Sequence, residues 1–141
     1  MAFQGNFSCN VFKTGLMNGT FNFTSGTFYI ALYTNDATLD ASTTAYTATG
    51  ETVASGYVAG GLALTIAQAP TVGNSGSTAY ISFDNAAWTS ALTSRGALIY
   101  QSGGGDPAVC VLDFGADKTS TTTFTVQFPA VSNTSAIIRI A

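Results

Sequence analysis

Histidine is absent from the 141 residues of this chain. That absence removes the Ser-His-Asp and Cys-His arrangements that activate a hydroxyl or thiol for nucleophilic attack. Charge is nearly as scarce. Asp, Glu, Lys and Arg make up 8% of the sequence, against roughly 25% in an average soluble domain. The only cations are Lys13, Arg95, Lys118 and Arg139, in no run or stripe, and the net charge is −3. So few cations cannot neutralise a phosphate backbone, and no nucleic-acid partner is expected. No apolar run approaches the ~18 residues that span a bilayer, and no basic amphipathic helix is present, so no membrane partner is expected either. The opening "MAFQGNFSCNVF" lacks the basic region and apolar core of a signal peptide. The chain is therefore expected to be made and kept in a cytoplasm, with Cys9 and Cys110 as reduced thiols. Two cysteines without histidine argue against zinc. No metal and no cofactor are expected.

What the chain does have is apolar mass. Hydrophobic residues make up 46% of it, enough for the core of a single domain. The surface is left to Thr, Ser, Asn, Gly and Ala. Such a surface loses little solvation when buried against another protein. Composition alone fits both a chain packed among neighbours and a neutral extracellular β-domain.

Short segments rich in β-branched and aromatic residues alternate with polar turns. They predict strands near Thr27–Tyr33, Glu51–Val58, Leu62–Ala69, Thr78–Phe83, Gly96–Gln101, Ala108–Phe114, Thr122–Phe128 and Ala136–Ile140. Eight such strands predict an all-β antiparallel sandwich or barrel over residues 27–141. The stretch "VCVLDFGADKTSTTTFTVQFP" contains Asp113-Phe114-Gly115, the tripeptide that places a carboxylate on magnesium in protein kinases. The glycine-rich loop, strand lysine and catalytic loop of a kinase are all missing. Period two instead sets Cys110, Leu112 and Phe114 on one face and Phe124, Val126 and Phe128 on one face of a second strand. A hairpin through the polar loop "GADKTSTT" is expected. In "IIRI" Arg139 is expected to face out of a core strand.

Residues 1–26 form a separate arm or helix in this reading. Phe3, Phe7, Val11 and Met17 fall on one side at helical spacing, and Cys9, Phe12 and Leu16 fall opposite. Asn6 or Ser8 is the expected cap and Gly19 the expected end. A helix apolar on both sides needs two partners. One is the parent sandwich. The other is a neighbouring chain, which makes Phe3, Phe7, Val11, Phe12 and Leu16 the candidate interface, unless the helix simply plugs the sandwich end.

No catalytic residues are expected. Of the carboxylates Asp36, Asp40, Glu51, Asp84, Asp106, Asp113 and Asp117, all but Glu51 and Asp113 read as turn residues that accept backbone hydrogen bonds. Glycoside hydrolysis would need two of them across a cleft. "TNDATLD" lacks the ligand spacing of a calcium loop. "SGGGDP" leads into a proline and a strand, so it is a turn and not a phosphate loop. The lone Trp88 reads as a core lid in preference to a sugar platform.

The order of segments also carries a likeness. "TFYIALYTNDATLDASTTAYTATGETVASGYVAGGLAL", "YISFDNAAWTSALTSRGALIY", "AVCVLDFGADKTSTTTFTVQFP" and "AIIRI" together resemble small virion proteins of tailed bacteriophages, from about Thr27 to Ile140. The resemblance implies a jelly-roll capsid cement, or decoration, protein on the outer surface of the head. It implies the major capsid protein as partner, with self-association as a homo-oligomer, assembled in the host cytoplasm. It brings no catalytic residues. The competing expectation is a tail or fibre module binding a host-surface glycan, marked by a shallow aromatic groove.

Overall fold

The computed structural model describes residues 3–73 and 76–141. Ten strands and one helix follow in order: β1 (Phe7–Ser8), α1 (Asn10–Asn18), β2 (Phe28–Tyr33), β3 (Leu62–Ala63), β4 (Ile66–Val72), β5 (Ala79–Phe83), β6 (Ala86–Trp88), β7 (Thr93–Gln101), β8 (Ala108–Thr119), β9 (Phe124–Val126) and β10 (Ile138–Ile140). The expected all-β, antiparallel, sandwich-like architecture is what the chain adopts.

The main sheet has the order β1-β8-β7-β2-β3, with smaller sheets β10-β5-β4 and β6-β9. Its centre is built from continuous apolar runs. In β2 and β7, Ile30, Ala31, Leu32, Tyr33, Ala97, Leu98 and Ile99 have no solvent exposure. Strands covered on both faces lose the polar alternation of a half-exposed sheet. The small sheets pack across the main one through aromatic rings. Phe28 of β2 stacks on Phe23 at 4.4 Å and meets Phe83 of β5 at 6.1 Å. Trp88 of β6 is buried between Tyr57 and Phe124, the core lid its setting predicted.

Four expectations are corrected. First, the hairpin between residues 108–114 and 122–128 does not form. β7 begins at Thr93, and its Thr93 pairs with Thr119, so β8 has a partner along its whole length. β9 pairs with β6 instead, with Trp88 opposite Phe124; the expected facing survives only as a ring contact between Phe114 and Phe124. Second, Val109 and Val111 are the deeply buried side chains of β8, while Leu112 and Phe114 are half-buried. α1 packs on β8, so the first half of that strand is covered on both faces. Third, β10 is an edge strand, not a core strand, with Ile138 half-buried and Ile140 53% exposed. Arg139 does point to solvent. Fourth, no strand spans Glu51–Val58; that stretch is a loop, joined to β2 by a single bridge from Glu51 to Tyr33.

The N-terminal segment is also revised. Residues 3–9 are not helical: the chain bends at Gly5, and Phe7 and Ser8 add to the edge of β8 opposite Val111 and Cys110. The helix starts at Asn10, after Cys9 and without a side-chain cap. It ends at Gly19 as expected, in the left-handed conformation (φ 82°) that glycine adopts without a Cβ clash. The arm is seated in the domain and does not hang from it. Phe3 is 1% exposed and lies against Gly96, where a Cβ would collide with the Phe3 ring. Arg95 stacks on that ring at 5.6 Å and ion-pairs with Asp113. Asn6 accepts the Asp113 N–H at 2.6 Å.

Candidate interaction surfaces

The expected interface residues do not form one surface. Phe3 and Phe12 are buried in the chain's own core, Phe12 edge-on to Phe21 and Phe23. Phe7 and Val11 are half-buried, and Leu16 is 37% exposed. Of the five, only Leu16 stands free. With Phe12, Phe21, Tyr80, Ile138 and Ile140 it lines an apolar groove of about 290 Å³ between α1 and the small sheet. No charged side chain lines it. Lys13 and Arg139 flank it, lining the adjoining cleft with Leu16 and Ile140. Neither cation has an ion-pair partner among the described residues.

A second surface escaped the sequence. Glu51 is 9% exposed, and its carboxylate accepts three hydrogen bonds. Tyr46 Oη donates to Oε2 at 2.6 Å. Tyr57 Oη and the Gly60 N–H donate to Oε1, each at 2.7 Å. Tyr57 Oη in turn accepts the Leu32 N–H at 2.8 Å, and Tyr100 Oη donates to Gly60 O at 2.7 Å. Thr52 is tied to Leu32 O and Thr93 O, and Ser90 Oγ donates to Ser55 O at 2.5 Å. A buried carboxylate persists only when its lone pairs are satisfied. Here three donors satisfy it, and together they fix the loop 51–61 onto the main sheet. The tip of that loop carries the two most solvent-exposed β-branched apolar side chains, Val53 at 95% and Val58 at 72%. The available signal is a single carboxylate between Tyr46 and Tyr57 in a stretch without cations; the β-branched and aromatic content of that stretch predicts a strand instead.

The other carboxylates have structural partners or face solvent. Ser42 donates its hydroxyl and amide to Asp40 and holds that carboxyl below its usual value. Asp106 accepts the Gly103 N–H at 2.8 Å and closes the glycine turn. Burial would raise the Asp113 carboxyl, but hydrogen bonds from Arg95 and Gly115 outweigh it and keep it low. Among the described residues no three His, Cys, Asp or Glu side chains come together as a metal site. No aromatic ring there reaches full exposure, and Trp88 at 3% cannot stack on a sugar from solvent.

Burial pushes the Cys9 thiol up to about 11 and Cys110 up to about 12, and it raises Tyr100 to about 12. Tyr33, Tyr46 and Tyr57 are raised too, by burial first and then by Glu51. Above pH 9, where an ordinary thiol ionises, the unfolded chain releases protons that the folded chain retains. The unfolded state then binds fewer protons, so stability falls as pH rises. Urea midpoints are expected to hold near neutral pH and to drop between pH 9 and 11. A midpoint flat across that range would show that these groups ionise in the folded chain as freely as in the unfolded one.

No protein-family model matches the chain, and no curated protein and no solved structure is detectably similar to it.

Proposed function

We propose that this chain is a bacteriophage capsid cement protein that binds the outer head surface and stabilises the shell through contacts with the major capsid protein. The observation that carries this reading is the use of the buried Glu51 carboxylate. Among the described residues it lines no cleft with a second carboxylate; it rigidifies a loop whose exposed side chains carry no charge and which holds Val53 and Val58 out to solvent. A preorganised apolar surface binds with less ordering cost than a mobile one, and many weak copies act together on a shell. The net charge of −3 suits the outside of a head better than the inside, where packaged DNA would repel it. Glycan binding by a tail module has less support, since the tryptophan that would serve it is buried.

The test is to mix purified protein with undecorated heads, pellet them, and count bound copies by gel densitometry. Hundreds of copies per head, with DNA retained to a higher temperature, are expected. Failure to pellet with heads, or a few tens of copies found on tails, would overturn the reading.

A further inference from the structure

We infer that the cleft between α1 and β10 receives an extended strand of a partner protein, one in which apolar residues alternate with carboxylates, added to the free edge of β10. An unpaired strand edge and an uncompensated charge carry this independently.

β10 ends the small sheet, and among the described residues β5 is its one strand partner. The cleft of about 470 Å³ is lined by every residue from Ile137 to Ala141. Successive side chains of a strand point to opposite faces, so a space that meets all of these residues runs along the strand's edge. The facing wall is Ser8 of β1, Phe12, Lys13 and Leu16 of α1, and Cys110 of β8. The apolar groove of about 290 Å³ adjoins this cleft, and Phe12, Leu16, Ile138 and Ile140 line both. A strand of five residues spans about 17 Å. Laid along β10, it bonds the outward N–H and C=O groups and sets every second side chain against Leu16 and Ile140. The edge therefore selects a peptide. A lipid chain fills an apolar groove but leaves strand groups without partners.

Charge selects which peptide. Lys13 and Arg139 line the cleft, both exposed and neither ion-paired among the described residues. No aspartate or glutamate lines the cleft or the groove. Pairing β10 with β10 of a second copy would bring Arg139 against Arg139, the kind of charge that guards a free edge against self-association. A strand carrying carboxylates meets opposite charge instead. Val53 and Val58 line neither space, so this surface is separate from the loop 51–61.

The inference does not depend on what the protein coats, and its test needs no heads. The probe is a fluorescein-labelled, C-terminally amidated peptide of sequence TVEVEVT, titrated with the full chain and read by anisotropy. Saturable binding is expected, with slower amide hydrogen exchange within residues 137–141 in the complex. Ile140→Asp should weaken it roughly tenfold or more, as loss of an apolar anchor does. Lys13→Glu/Arg139→Glu should weaken it likewise, and should instead bind the peptide TVKVKVT, which the wild type refuses. All three positions are exposed, so the fold should be kept. Two further probes keep every side chain of TVEVEVT. One is N-methylated at its valines, the other at its glutamates and threonines, and one of the two should lose binding because its edge N–H groups are gone. A wild-type chain that does not bind TVEVEVT overturns the inference. Equal binding of both methylated peptides would show an apolar groove without strand pairing and overturn it too. So would a charge-reversed variant that keeps the wild-type preference. Self-association that Ile140→Asp abolishes, without peptide binding, would give the edge to a second copy.

Discussion

Replacing Glu51 by alanine should destabilise the domain by about 3–5 kcal/mol, a large part of the ~5–15 kcal/mol that holds a typical domain. The substitution removes one acceptor group and orphans three donors at once: the Tyr46 and Tyr57 hydroxyls and the Gly60 N–H. A buried donor left without a partner, as Tyr57 would be, costs about 1–3 kcal/mol, and the half-buried Tyr46 and Gly60 donors cost less each. Tyr46→Phe should cost much less, about 1 kcal/mol, because the carboxylate keeps its two other donors. Glu51→Gln should fall between the two. It preserves the volume but turns an amide N–H toward hydroxyls that are themselves donating. Urea melts of the three variants test the ranking. Equal, small losses would mean that water replaces the carboxylate at little cost and that the loop is held by its other bonds.

Removing residues 1–12 should abolish folding. Phe3 and Phe12 are 1% and 4% exposed, and a buried phenylalanine is worth about 3–5 kcal/mol when truncated. Losing both, with Cys9, β1 and the three opening residues of α1, exceeds the stability of most domains. The truncation also strips the outer edge of β8, where Phe7 and Ser8 pair, and an uncovered edge strand invites aggregation. Inclusion bodies, or a soluble chain without near-ultraviolet circular dichroism, are expected. A truncated chain with the full spectrum and a cooperative melt would show that the N-terminal segment is a separable arm after all.

Much of the fold was legible because alternation and turn chemistry are local. β2, β5 and β7 stand close to where their apolar residues put them, and Gly19 ends the helix. What failed was non-local. Nothing in "TFTVQF" states that its partner is "AAW" and not the strand just before it; pairing is set by which edge the completed sheet leaves open. Phe3 and Phe7 fit helical spacing, but a β8 edge available in space outcompeted a short helix extension, which on its own is marginal. Glu51 was misplaced for a related reason. Its three donors come from Tyr46, Tyr57 and Gly60, close in sequence, yet the loop that brings them together is fixed by contacts to β2 and β7. Leu16 was the one interface residue that stayed free. The groove it lines needs β10, more than a hundred residues later, and no periodicity joins the two.

The pairing of β1 with β8 has a kinetic consequence. Asn6 and Asp113 touch across 107 residues, so a segment made before β7 and β8 can be seated only after them. Until β7 and β8 have formed, Phe3 and Phe7 lack the partners they pack on, and loop closure over that span is slow. The β7–β8 hairpin, closed by its glycine turn, pairs residues near in sequence and is expected to form before the N-terminal strand adds to its edge.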